Sequence, residues 1–354
     1  MAQSSLPAEI CEEIVDLLEN FPDALQHISV ASKVFVSRAR PILFRHIRVL
    51  SFKRMVQMGQ LLSSNHCTIP ADPSSLEIRF ESPFPGRSLG YDYNTVAFAL
   101  LDAFYYFRSF QSSISMSLPW VFSRNLDWTY LHRYSGIRKF VLAGTYPWLA
   151  DLTQCLCHMN ALESLIVDAS FKSDATPSIP PNPSHRATIS PRLTEIALSP
   201  QSLCLMDWIC ELKAGPKHLH TMRLKVDNIE SHARFFRDLV HFLEKNGGEL
   251  AHLFVWFEEI EVDDDPYDTL QGALHYTPTL QQVELLFPSS ESFDEESRGD
   301  LVETIRSSCV GPLSIVEVLG GDSIGIDEAE FWAPPSFCRS GEGGGRERCR
   351  RWIR

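Results

Sequence analysis

The sequence predicts an α/β chain, a small helical head followed by an irregular array of strand–helix repeats. Three observations predict it. The first fifty residues hold three short segments with apolar residues at helical spacing. From residue 137 a pattern Φ-x-x-Φ-x-Φ (Φ apolar) recurs seven times. Between most recurrences lies a stretch with period 3.6, so strand and helix alternate.

The head comes first. Pro7 stands where a helix accepts proline, in its first turn, with Ser5 or Leu6 at the cap. Glu9, Glu12 and Glu13 suit the positive end of that helix. Ile10, Ile14, Leu17 and Leu18 recur at steps of three and four and give it an apolar face. Pro22 restarts a helix, with Leu25 and Ile28 as its apolar side. Lys33 to Arg40 predicts a third, with Val34 and Phe35 inward and Arg38 and Arg40 outward. Pro41 is expected to end it, because the residue before a proline avoids the helical region. Three short helices bury little surface, so the unit needs a partner surface, in its own chain or another.

A connecting helix and strand region with the first irregular repeats, 51–136, follows the head (1–50). Ser51 to Leu62 reads as a helix and "SLEIRF" at 75–80 alternates like a strand. Pro83, Pro85 and Gly86 make a loop, Asn94 to Phe107 has helical spacing, and "SISMSL" at 113–118 alternates again.

The repeat region is placed at 137–338. Its seven patterns are Ile137-Phe140-Leu142, Leu162-Leu165-Val167, Leu193-Ile196-Leu198, Leu219-Met222-Leu224, Leu250-Leu253-Val255, Leu280-Val283-Leu285 and Leu313-Val316-Val318. They start 25, 31, 26, 31, 30 and 33 residues apart. Helical patterns between them use Trp148, Leu152, Leu156 and Met159; Leu205, Ile209 and Leu212; Phe235, Phe236, Leu239, Val240 and Leu243; and Leu270, Leu274, Leu301, Val302 and Ile305. A strand and crossover helix at that period is the leucine-rich-repeat arrangement, with a parallel sheet on the concave side and helices on the convex side. A general open α/β sheet is the alternative. The position three residues past the last strand apolar holds Thr145, Ser170, Gln201, Asp227, Glu258, Pro288 and Gly321. None is asparagine, so the repeats are expected to be irregular.

The order Leu6-Pro7-Ala8-Glu9-Ile10, Ile14, Leu17-Leu18, "ALQHISVASKVF" and "ARPILFRHI" resembles the F-box, in the form common in mushroom-forming fungi. The resemblance covers residues 5 to about 48. The degenerate repeats resemble the arrays that often follow such F-boxes. In that family the three helices bind a Skp1-type adaptor, and through it a cullin, within a cullin–RING ubiquitin ligase. The resemblance assigns Leu6, Pro7, Ile10 and Ile14 to adaptor contact, with Val30 and Phe35 at later apolar positions. Phe35 stands where the family often has tryptophan and Ala31 where it often has valine, both smaller. The function so implied is a substrate-recognition subunit, with the repeats holding a target protein. It does no bond chemistry, but brings a target lysine near a charged conjugating enzyme. A repeat scaffold outside any ligase, its head packed on the first repeat, is the alternative.

Composition bounds the rest. The 354 residues are 44% apolar and 22% charged, which is globular, and length favours two domains. The net charge is −13. The head carries about one negative charge and the last sixteen residues are basic, so the middle is acidic. That disfavours a nucleic-acid ligand and fits a protein partner with a basic face, while acidic balance also serves solubility. Nine scattered cysteines, no secretory leader and no long apolar run predict reduced thiols in a cytoplasmic or nuclear protein, with no membrane span. A proline-rich segment at 172–191 and acidic runs at 258–268 and 291–296 read as loops, the acidic runs on one rim, either solvated or an acidic collar for a basic partner. The tail, 339–354, reads as a disordered basic segment.

No cofactor or metal is expected. Gly321-Asp322-Ser323-Ile324-Gly325 spells G-x-S-x-G, but no histidine follows His275, so a hydrolase triad in the matching order is absent. Cys155, Cys157 and His158, with Cys204 and Cys210 further on, do not give the converging four-ligand spacing of zinc. Asp263 to Asp265 lacks the order of a calcium loop.

Overall fold

The computed structural model describes residues 7–65, 67, 69–80, 93–110, 112–118, 128–171, 188–226, 232–257, 272–287 and 295–320. Three helices open the chain: α1 (Ala8–Leu17), α2 (Pro22–Ala31) and α3 (Lys33–Leu43). Then come β1 (His46–Val49), α4 (Phe52–Leu62), β2 (Ser75–Arg79), α5 (Tyr93–Tyr106), β3 (Ser113–Leu118), a 3₁₀ turn (Trp128–Arg133) and β4 (Lys139–Tyr146). They are followed by α6 (Leu149–Leu156), β5 (Ser164–Phe171), β6 (Glu195–Leu198), α7 (Cys204–Glu211), β7 (Thr221–Val226) and α8 (His232–Asn246). The series ends with β8 (His252–Phe257), β9 (Gln282–Phe287), α9 (Glu295–Ser308) and β10 (Ile315–Gly320).

The ten strands form one sheet, every described pair is parallel, and spatial order follows chain order. Sequential parallel order is that of a solenoid-like α/β fold; a doubly wound sheet would reverse its order at a switch point. The Φ-x-x-Φ-x-Φ segments are strands β4 to β10, and the same sheet extends back through β3 and β2 to β1.

Two columns of apolar side chains set the register. One runs Ile47, Leu76, Ile114, Phe140, Leu165, Ile196, Met222, Leu253, Val283, Val316 across the ten strands. The second starts at Val49 and Ile78 and continues through Met116, Leu142, Val167, Leu198, Leu224, Val255 and Leu285. Both columns pack with the inner sides of α4 to α9 in one continuous core. A backbone ladder one residue ahead of the strands repeats the register. Each amide donates to the carbonyl one unit earlier, from Ser74 to Arg45 (2.8 Å) through Ser112, Arg138, Glu163, Thr194, His220, Ala251 and Gln281 to Ser314 (2.9 Å).

At the ends of β4 and β5, hydroxyls supply local hydrogen bonds. Buried Ser202 donates to the Ala169 carbonyl (2.6 Å) and accepts from the Ala169 amide (3.2 Å). Ser170 donates to Thr145 (3.0 Å). Two glycines are dictated by space. A Cβ on Gly59 would lie 2.6 Å from the Ala99 Cβ, so glycine lets α4 and α5 approach. Gly144 has φ +108°, and a Cβ there would meet the Leu118 carbonyl at 2.6 Å.

Pro41 does not end α3. The helix runs on to Leu43, with Pro41 in its last turn. So close to the end, the missing N–H costs a single bond to the Ser37 carbonyl. Ser32 starts the helix, its hydroxyl accepting from the Val34 amide. The expected segments at 258–268, at 339–354 and around Ser323 lie outside the described residues, as does all but the end of 172–191 and the start of 291–296. Among the described residues no helix is long and apolar enough to cross a membrane.

Leu165 is fully buried in the first column. Leu165→Ala is expected to lower stability by about 2–5 kcal/mol, read as a shift in the urea midpoint. Ser115→Ala, on the other face of β3, is expected to change it by under about 0.5 kcal/mol.

Candidate functional site

Two accessible surfaces of different chemistry stand out: the outside of the helical head and the sheet face opposite the helices. The head has a core of its own. Val15, Leu25 and Ala39 are buried, with Leu18, Ile28, Phe35, Ile42 and Leu43 packed around them. Two surface ion pairs tie α1 to later segments: Arg38 forks onto Asp16 with two 3.0 Å bonds, and Arg45 pairs with Glu19.

Helix α1 therefore has two apolar stripes. Cys11, Val15 and Leu18, at steps of four and three, face the head's interior. Ile10 and Leu17, a step of seven, face out and are 42% and 73% exposed. Phe21 follows at 61%, Val30 at the end of α2 is 83% exposed, and Val34 at the start of α3 is 52% exposed.

Of the adaptor-contact positions implied by resemblance, Pro7, Ile10 and Val30 are exposed. Ile14 and Phe35 are half-buried, Phe35 packing on the head's own core. Leu6 lies outside the described residues. Leu17, Phe21 and Val34 complete the exposed set; Val34, expected to face inward, turns outward at the first turn of α3 while its neighbour Phe35 packs on the core. Helical spacing signals that Leu17 is on a face, but not whether that face turns in or out.

The open sheet face carries the alternate residues of each strand. One column reads His46, Ser75, Ser113, Lys139, Ser164, Glu195, Thr221, His252, Gln282. The next reads Arg48, Glu77, Ser115, Val141, Ile166, Ala197, Arg223, Phe254, Glu284. Accessibility divides this face. Arg48 is exposed and Glu77, Ser115 and Val141 half-exposed, whereas Ile166, Ala197, Arg223, Phe254 and Glu284 are buried.

The buried half holds a charged network. The Arg223 guanidinium lies 3.5 Å from Glu195 Oε1 and 5.5 Å above the Phe254 ring. Ser164 donates to Glu195 Oε2 (2.7 Å), and Gln282 donates to Glu284. His252 Nδ1 is 3.2 Å from Gln282 Oε1, and burial holds this imidazole below its ordinary range. Burial likewise lowers Lys139, opposed by nearby Glu195 and assisted by Arg223. The signal for these residues is a charge inside an apolar strand, as in "TMRLKV" and "QVELLF".

Cys155 and Cys157 sit in and beside α6 with thiols pushed up by burial. Among the described residues no three histidine, cysteine or acidic side chains converge as metal ligands.

Compared with protein-family models and with curated proteins, the chain matches none.

The Arg38 hydrogen bond holds the Asp16 carboxyl below its ordinary range. A depressed folded-state pKa stabilises above the unfolded value, about 3.9, and the contribution is lost as pH falls through the folded value. Asp16→Asn is therefore expected to loosen the head slightly at pH 7, with the difference from the parent closing in acid. Amide exchange of α1 and α3 across pH reads this out.

Proposed function

We propose that the head is a docking module and the repeat array a recognition wall for a second protein. In its sharpest form this is the F-box reading: a substrate-recognition subunit of a cullin–RING ubiquitin ligase, binding a Skp1-type adaptor through the head. The repeats would then be leucine-rich-repeat-like, presenting a target on their open face in the cytoplasm or nucleus. One observation carries the docking part: five apolar side chains stand more than two-fifths exposed on a unit with three fully buried core residues. Fully covering a side chain the size of Leu17, Phe21 or Val30 contributes roughly 1.5–3 kcal/mol. A partner sealing all three gains enough to offset much of the cost of association. Single exposed apolar side chains are common on protein surfaces, but five on a unit of about forty residues favours a partner that covers them. The ligase assignment rests on the ordered motif Leu6 to Ile47.

The scaffold reading has one observation in its favour: Ile14 and Phe35, two of the six implied contact positions, are partly covered by the chain itself. Their half-burial leaves Ile10 and the outer stripe accessible, so the docking reading is preferred.

The test is the double variant Leu17→Asp with Val30→Asp. Both sites are exposed, so the circular dichroism and melting point are expected to stay those of the parent. Affinity for a purified Skp1-type adaptor is expected to fall at least tenfold, because each carboxylate would be buried unpaired in an apolar interface. Unchanged affinity, or no adaptor binding by the parent chain, counts against the ligase reading.

A further inference from the structure

We infer that the accessible half of the open sheet face, β2 to β4, recognises an extended acidic segment of a partner protein. Strand β3 sends Ser113, Ser115 and Ser117 to this face, all half-exposed, and no hydrogen bond engages their hydroxyls among the described residues. A cation flanks the track at each end. Lys139 on β4 pairs in register with Ser113, and Arg79 on β2 with Ser117. The other ionic pair here is internal, Arg48 Nε donating to Glu77 Oε2 at 2.6 Å. On the far side, Glu195 is held by Ser164 and Arg223, and Asp168 stands on β5 beside Ala143. Arg79 thus has no described counter-ion, and Lys139 has only the longer-range attraction of Glu195, a carboxylate already engaged by Ser164 and Arg223.

Lys139 is the informative group. It is half-buried, and among the described residues it makes no hydrogen bond, Glu195 acting on it only at longer range. A desolvated ammonium without an acceptor raises the free energy of the unbound protein, and a partner's carboxylate would supply the missing bond. The middle of the track, Ser115 beside Val141, has short side chains and admits an extended backbone. Two strand spacings and four residues of rise put Lys139 and Arg79 about 16 Å apart. An extended chain covers that in about five residues. The favoured ligand therefore has two carboxylates about five positions apart.

This inference rests on the array being a partner-binding surface and is independent of what the head binds. The probe is a fluorescein-labelled peptide with two glutamates five positions apart on a serine–glycine background, read by anisotropy against the intact chain. Binding is expected to weaken at least tenfold when both glutamates become glutamine, and severalfold as salt is raised from 50 to 300 mM. Lys139→Glu and Arg79→Glu are each expected to weaken it about three- to tenfold, while the Leu17→Asp, Val30→Asp double variant binds as the parent does. Lys139→Met is expected to melt about 1–3 °C higher while losing affinity. Equal binding of the glutamine peptide, binding that survives both charge reversals, binding only when phosphoserine replaces the glutamates, or a lower melting point for Lys139→Met would overturn it.

Discussion

The ten-strand register is the constraint on which everything else depends. Because side chains alternate along a strand, the same pairing that lines up the two apolar columns also decides what the other face displays. A one-residue slip in β7 would turn Met222 and Leu224 away from the core and drive Arg223 and Lys225 into it. Both charges are already buried on the other face, and parting Arg223 from Glu195 to set it among aliphatic side chains costs far more than one lost ladder bond. The core columns thereby fix the open face, and the backbone ladder from Arg45 to Ser314 carries the same offset from one end of the sheet to the other.

That logic explains what was legible in the sequence. From Ile137 onward each unit has an apolar residue three positions before the first column, and the periodicity announces itself. Units two and three have Pro73 and Gln111 at that position, so the pattern is incomplete and the regular array reads as starting at 137. Their column residues, Leu76 with Ile78 and Ile114 with Met116, nonetheless sit in the same rows. The head was legible as three helices, apart from the end of α3, where Pro41 falls late enough to be absorbed. Its outer surface was half legible. A helix with apolar residues on both sides gives one periodic signal, and only packing separates Val15, inside, from Leu17, outside. On the sheet, lone charges in apolar strands were visible, but adjacency between Lys139, Ser164, Glu195 and Arg223 needs residues about 25 to 30 positions apart to meet.

The two surfaces differ in the kind of partner they suit. The head offers aliphatic and aromatic side chains with exposed acidic ones around them, Glu13 between Ile10 and Leu17 among them, which suits an apolar contact with a polar rim. The accessible sheet face offers hydroxyls and the cations Arg79 and Lys139, which favours a salt-sensitive and readily reversible one. A chain that holds a constant partner at one end and samples changing partners along the array would be built this way. The buried charged half, Glu195 to Glu284, has a different role in this view. Its groups are tied to one another, so it stiffens the sheet beside the recognition track.

The central claim is that the outward stripe of the head is covered by another protein. Hydrogen exchange of the intact chain, with and without a saturating Skp1-type adaptor, tests it most directly. The account predicts new protection confined to α1 and the α2–α3 junction, around Leu17, Phe21, Val30 and Val34, with β2 to β4 unchanged. Protection that appears on the sheet instead, or none anywhere in the head, would contradict it.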